Sequence, residues 1–252
     1  MGRRTLSIAG RRIDVLDIDG DAHRRTLVLL HEGLGSIGLW REFPAQLAKR
    51  TGRRTVVYSR HGHGRSENPP VRRTPSFFHE EARVTLPELL WRLDVSEPVL
   101  VGHSDGGSIA LIHGAATPVT GVVTLAAHVF VEDICVRSIE ETRRRYVDGD
   151  LRPRLARHHD DPDAAFWGWC DVWLDPAFRT WTLDSEVAAI TAPILVIQGH
   201  NDPYGTLAQV ERICDAVGPS ARSLIVPGGH SPHLDASEEV LAGISGFCAD
   251  LG

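Results

Sequence analysis

Five residues, Gly102-His103-Ser104-Asp105-Gly106, carry the first chemistry in this sequence. They follow the apolar run Pro98-Val99-Leu100-Val101 and precede Gly107-Ser108-Ile109-Ala110-Leu111-Ile112, which reads as a helix start. A serine at a sharp strand-to-helix turn is held in strained backbone geometry with its hydroxyl exposed. The flanking glycines are required because side chains there would collide with neighbouring backbone. The new helix also points unpaired N–H groups at the turn, where a developing oxyanion would be stabilised. The bland alternative is a glycine-rich turn with an incidental serine, and the strand and helix on either side argue against it.

A serine hydroxyl is a weak nucleophile until a base takes its proton. For this kind of turn the partners follow in the order serine, acid, histidine. After the run Pro193-Ile194-Leu195-Val196-Ile197-Gln198-Gly199 comes Asp202, and after Ser223-Leu224-Ile225-Val226-Pro227-Gly228 comes His230. Ser104, His230 and Asp202 are therefore the expected nucleophile, base and orienting acid. His233 competes with His230, its other reading being a helix-entry or supporting residue. Asp202 has a second reading as a turn residue before Pro203. Both loops follow strands, which puts them at the carboxyl edge of an open α/β sheet, where sites form.

The elements that must position these residues are legible as runs. Candidate strands cover 5–9, 12–18, 26–31, 54–59, 98–103, 121–127, 193–199 and 223–228, and the later ones read as continuous apolar stretches suited to burial on both faces. Helix candidates lie at 43–51, 77–93 with a break at Pro87, 105–115, 206–217 and 236–249. This alternation predicts an α/β fold, a mostly parallel eight-stranded sheet with helices on both faces and an antiparallel hairpin at one edge, turned at Gly10-Arg11. Residues 131–188 break the pattern: no strand is evident, and Phe166, Trp167, Trp169, Trp173, Phe178 and Trp181 cluster there. They read as a helical insertion after the sixth strand, since linkers are not tryptophan-rich. The core is then 1–130 and 189–252.

Composition narrows the function classes. The chain has 252 residues, 42% of them hydrophobic and 24% charged, ordinary values for a globular protein. A net charge of −6 argues against nucleic acid as a main partner. The run Arg143-Arg144-Arg145 reads as a solvated helix face. The cysteines, Cys135, Cys170, Cys214 and Cys248, make no zinc or redox spacing, so reduced thiols are expected. The beginning of the sequence lacks an apolar signal core, and no apolar run is long enough for a bilayer span, so a cytoplasmic protein with no membrane partner is expected. The expected partner is a small-molecule substrate, with homodimerisation left open. His158-His159-Asp160-Asp161, or His230 with His233, makes no complete zinc set, so no metal is expected. Arg60-His61-Gly62 matches the phosphoryl-accepting motif of histidine phosphatases but follows an internal strand. The glycine-rich loops fit no nucleotide pattern, so no cofactor is expected.

With these residues identified, the chain resembles the α/β-hydrolase superfamily over nearly its full length. Leu30-His31-Glu32-Gly33-Leu34-Gly35-Ser36 is similar to the superfamily's His-Gly loop, and Ser59-Arg60-His61-Gly62-His63-Gly64-Arg65-Ser66 to its Arg-Gly-x-Gly-x-Ser loop. The resemblance implies an oxyanion hole made by the N–H groups of Leu34 and Asp105, and a lid at 131–188. The Ser104-Asp105-Gly106-Gly107 elbow resembles the biphenyl-hydrolase-like (valacyclovir-hydrolase-like) branch, in which this aspartate is implicated in binding a substrate ammonium. The Asp105 carboxylate otherwise serves as favourable charge at a helix N-terminus. For the pocket, the expectation is His128, Trp167, Trp169 and Trp173; His128 has a second reading as a strand cap, and the tryptophans as core.

The expected activity is hydrolysis of a small carboxylic ester through an acyl-enzyme. The alternatives are a carbon–carbon hydrolase acting on products of aromatic ring cleavage and a non-catalytic small-molecule receptor on the same fold.

Overall fold

The computed structural model describes residues 2–69 and 71–252. The β-branched runs form eight strands: β1 (Gly2–Ile8), β2 (Arg11–Ile18), β3 (Leu27–Leu30), β4 (Thr55–Tyr58), β5 (Val99–His103), β6 (Gly121–Leu125), β7 (Ile194–Gly199) and β8 (Ala221–Val226). They make one sheet in the order β1-β2-β4-β3-β5-β6-β7-β8. β1 and β2 form the antiparallel hairpin, β2 pairs antiparallel with β4, and every later pairing is parallel.

Side-chain alternation along the strands builds two cores. Leu27 and Leu29 of β3 face one side, with Trp40, Phe43 and Leu47 of α1 (Phe43–Thr51) and its approach. Val28 and Leu30 face the other. There the chain lays α2 (Phe77–Glu80), α3 (Leu86–Arg92) and α4 (Asp105–Ala116). Every residue of α4 from Asp105 to His113 is buried, because the helix lies between the sheet and the helices that cover it.

Two expectations need correction. The irregularity in the 77–93 helix is a π turn at Glu81–Thr85, upstream of Pro87, which sits in the first turn of α3. A wider turn accommodates a proline that has no N–H and whose ring would crowd the preceding carbonyls. The last strand is not buried on both faces: β8 is the sheet edge, and its Ile225 is 40% exposed.

Between β6 and β7 run α5 (Asp133–Asp148), α6 (Leu151–Leu155), α7 (Pro162–Trp173) and α8 (Asp184–Ala189). α5 buries Cys135, Ile139, Thr142 and Tyr146, one helical face. α7 starts at Pro162, with the Asp161 carboxylate accepting the Ala164 N–H at 2.9 Å. The two helices meet where Tyr146 stacks on Phe166, with ring centroids 3.6 Å apart. After β7 come α9 (Ala208–Val217), α10 (Pro232–Asp235) and α11 (Ser237–Asp250). Among the described residues no helix is long and apolar enough to cross a membrane.

Candidate active site

Ser104 caps α4 with φ 51° and ψ −118°, a conformation that a non-glycine residue adopts only under constraint. The constraint is visible at its neighbours. A Cβ on Gly102 would lie 2.2 Å from the Gly106 carbonyl oxygen, and one on Gly106 would lie 2.1 Å from that of Leu30. Only glycines let β3, β5 and α4 approach this closely. The Ser104 N–H is tied to the Leu125 carbonyl at 2.8 Å, fixing the turn to β6.

The carboxyl ends of β5 and β7 and the loop after β8 bring three side chains together. The Ser104 hydroxyl lies 2.9 Å from Nε2 of His230. Nδ1 of the same ring lies 2.9 and 2.8 Å from Oδ1 and Oδ2 of Asp202. A carboxylate only accepts, so Nδ1 carries the proton and Nε2 is left to accept from the serine hydroxyl. Asp202 is itself held by the Tyr204 N–H at 2.8 Å and by Nε2 of Gln198 at 2.8 Å. Burial pushes its pKa up, but the hydrogen bond and charge of His230 outweigh this, and it lies below the ordinary carboxylate value. His233, the competing histidine, points elsewhere. It is buried against Trp40 and Phe43, with centroid distances of 4.8 and 5.3 Å.

A cleft with about 430 Å³ of empty space, part of it open to solvent, begins at Ser104. It is lined by Glu32, Gly33, Leu34, Asp105, His128 and His230, by Cys135 and Ile139 of α5, by Trp169 and Trp173 of α7, and by Tyr204. Among the described residues, the backbone N–H groups of Leu34 and Asp105 donate to no protein acceptor. Asp105 is buried, and its Oδ1 accepts the Trp173 indole N–H at 3.1 Å, which pins α7 over the elbow. Burial raises the Asp105 pKa, opposed by Arg60, the Trp173 bond and Arg73. His128 is held at a pKa of about 3, first by burial and then by His230, so its ring is neutral.

Trp167 is the one expected pocket residue that the cleft does not include. At 3.6 residues per turn it projects nearly opposite to Trp169 and Trp173. It is half-buried on the outer side of α7, where the Arg143 guanidinium lies 5.8 Å from its ring. Cys135, Ile139 and Tyr204 were not expected in the cleft. The four-residue spacing of Cys135 and Ile139 was a usable signal for one face of a helix.

Glu32 and His103 are a further pair that spacing does not reveal. Glu32 Oε2 lies 3.3 Å from Nδ1 of His103, whose Nε2–H donates to the His230 backbone carbonyl at 2.6 Å. The pair thus braces His230 from its main chain, as Asp202 does from its side chain. Burial disfavours both charges, but each offsets this for the other: the His103 pKa is raised and the Glu32 pKa lowered. A raised histidine stabilises the fold below its ordinary 6.5 and loses that contribution as pH rises through the raised value. A lowered carboxyl stabilises above its ordinary 4.5 and loses that on acidification through the lowered value. Glu32→Gln is therefore expected to cost on the order of 1–2 kcal/mol near pH 5.5, with a smaller cost toward pH 9. Thermal midpoints across that range check this; a pH-independent difference would contradict the ion pair.

Comparison with known proteins places these residues in a family context. The alpha/beta hydrolase family model matches residues 27–243. Serine hydrolase BPHL from Homo sapiens is 27% identical over 194 residues, 73% of this chain and 65% of that protein. The sn-1-specific diacylglycerol lipase ABHD11 from Danio rerio is 32% identical over 115 residues, 46% of this chain and 34% of that protein. The matches thus span about a third to just under two thirds of these relatives' lengths. Among solved structures, the enol-lactonase from Burkholderia xenovorans has a TM-score of 0.76 at 20% identity, covering 98% of this chain and 100% of that one. An esterase from Exiguobacterium antarcticum has a TM-score of 0.75 at 19% identity, covering 97% and 98%. At these identities the structures speak to the fold. The likeness to serine hydrolase BPHL agrees with the resemblance carried by the Ser104-Asp105-Gly106-Gly107 elbow.

Proposed function

The chain belongs to the alpha/beta hydrolase family, and from that premise we propose that it is a serine hydrolase cleaving small carboxylic esters through an acyl-enzyme. The observation that carries this reading is the unbroken chain from Ser104 Oγ through the His230 ring to the Asp202 carboxylate, opening into a cleft with two free N–H groups.

In this reading, Ser104 attacks the ester carbonyl as its proton passes to Nε2 of His230. Asp202 holds the ring's tautomer and stabilises the imidazolium. The Leu34 and Asp105 N–H groups receive the oxyanion; one such donor is worth about 3–4 kcal/mol. The imidazolium then gives its proton to the departing alcohol. Water attacks the acyl-enzyme with His230 again as base, and the carboxylic acid leaves. α5 to α7 act as a lid whose inner face, Cys135, Ile139, Trp169 and Trp173, receives an apolar group.

The same cleft bears on the carbon–carbon hydrolase alternative. Among the described residues lining it there is no Arg or Lys to hold a carboxylate, an unfavourable setting for the carboxylated products of aromatic ring cleavage. A panel of p-nitrophenyl esters beside a carboxylated vinylogous diketone tests the reading. Short esters are expected to turn over, with kcat/KM falling about tenfold or more from a butanoyl to a dodecanoyl group as the chain outgrows the cleft. Turnover of the diketone alone would favour the carbon–carbon hydrolase, and turnover of neither would favour a receptor.

A further inference from the structure

The Leu34 N–H and the Gly33 carbonyl belong to one planar peptide and point to opposite sides of it. The Gly33 carbonyl accepts a hydrogen bond from Nε2–H of His63 at 2.8 Å. The next carbonyl, that of Leu34, accepts from Nε2–H of His159 at 2.9 Å. Both rings are buried and pack edge to face, with centroids 5.8 Å apart.

The neighbours of each ring fix its tautomer. Nδ1 of His63 lies 3.0 Å from Nη2 of Arg73, which can only donate, and 3.1 Å from the His61 carbonyl, while its Nε2 faces the Gly33 carbonyl at 2.8 Å, which can only accept. Nδ1 of His159 accepts the Gly64 N–H at 3.0 Å. In both rings the single proton is therefore on Nε2, facing a carbonyl. A second proton on His159 would meet the Gly64 N–H, and one on His63 would meet Arg73; burial, with the Arg73 charge at His63, keeps both rings below the ordinary histidine pKa.

We propose that His63 and His159 are positioning residues for the oxyanion donor, gripping the carbonyls of Gly33 and Leu34 so that the Leu34 N–H is aimed into the cleft. This rests on the reading of Ser104 and Leu34 given above. The bond to the Gly33 carbonyl also polarises the peptide and strengthens its N–H as a donor. His159 belongs to the segment between β6 and β7, and the adjacent Asp160 N–H donates to the Gly64 carbonyl at 2.8 Å. Docking of that segment on the core and the aim of the oxyanion donor are thus one event.

The test uses His63→Leu, His63→Gln, His159→Leu and His159→Gln, because a Gln amide can take over the Nε2–H donor. For each, kcat and KM on a short p-nitrophenyl ester are read beside the Ki of an arylboronic acid, which forms a tetrahedral adduct on the serine. His63→Leu is expected to lower kcat by about tenfold or more, with KM within about twofold, and to raise the boronate Ki in parallel. His159→Leu follows the same pattern at about three- to tenfold, and each Gln variant recovers to within about threefold. Unchanged kcat and Ki in the Leu variants, or equal losses in Leu and Gln variants tracking a lower thermal midpoint, would overturn the proposal. Fluorophosphonate labelling separates the two readings. A wild type that neither labels at Ser104 nor turns over refutes the nucleophile assignment and this inference with it. A wild type that does both, beside indifferent histidine variants, refutes this inference alone.

Discussion

Replacing Ser104 with alanine is expected to lower kcat for a short ester by about 10⁴- to 10⁶-fold, with the thermal midpoint nearly unchanged. In the proposed mechanism the loss is large because the hydroxyl is the atom that forms and breaks the bond to the acyl group; oxyanion donors alone would retain only background catalysis. The fold is spared because the Oγ has one partner, Nε2 of His230. The backbone bonds that hold the turn, from Ser104 N–H to Leu125 and from the Gly107 and Ser108 N–H groups to Ser104, do not involve it. Alanine keeps the Cβ, so the cost of φ 51° is the same in both proteins. A rate within tenfold of wild type would remove Ser104 from the chemistry.

Asp202→Asn is expected to cost about 10³- to 10⁴-fold in kcat. In the proposed mechanism, removing the negative charge takes away the partner that stabilises the imidazolium. It also weakens the hold on the tautomer, leaving Nδ1–H the Oδ1 acceptor at 2.9 Å but a donor at the Oδ2 position. The Tyr204 N–H cannot turn, so the amide oxygen stays at the Oδ1 position, where it accepts at 2.8 Å. The amide NH₂ then occupies the Oδ2 position, facing His230 Nδ1 and the Gln198 amide nitrogen, both donors in the wild type. Gln198 cannot flip without cost, because its nitrogen also donates to the Gly205 carbonyl at 3.1 Å. Relief comes from the His230 proton moving to Nε2, where it confronts the serine hydroxyl. About 1–3 kcal/mol of stability should go with the strained donors. Kinetics and a thermal melt on the same variant check both parts; a loss below tenfold would assign the orienting role elsewhere.

What the sequence reveals about this site follows from how local each signal is. That Ser104, Asp202 and His230 lie at one edge is legible because each follows an apolar run that reads as a strand, and parallel strands in one sheet end on the same side. The order of the strands across the sheet has no such local signature. Trp167 falls outside the cleft for a simple reason: composition marks 166–181 as an aromatic cluster, and helical spacing separates Trp167 from Trp169 and Trp173, but which face of α7 meets the cleft is set by tertiary packing. The supporting groups are legible least of all. Glu32 and His103 lie 71 residues apart in the chain yet pair beside the base. His63 lies next to the Arg60-His61-Gly62 phosphatase decoy and His159 inside the zinc decoy, and both instead serve as neutral hydrogen-bond donors to one loop. Residue type and spacing suggest a chemistry, whereas these roles come from tertiary contacts.

The central claim is that the Ser104 hydroxyl is activated by His230 against a carbonyl. Intact-mass and peptide mass spectrometry after exposure to a fluorophosphonate, for wild type and His230→Ala side by side, tests it most directly. The account predicts one adduct per chain, on Ser104, forming at least about 10³-fold more slowly without the imidazole. An adduct on another residue, or equal labelling of both proteins, would contradict it.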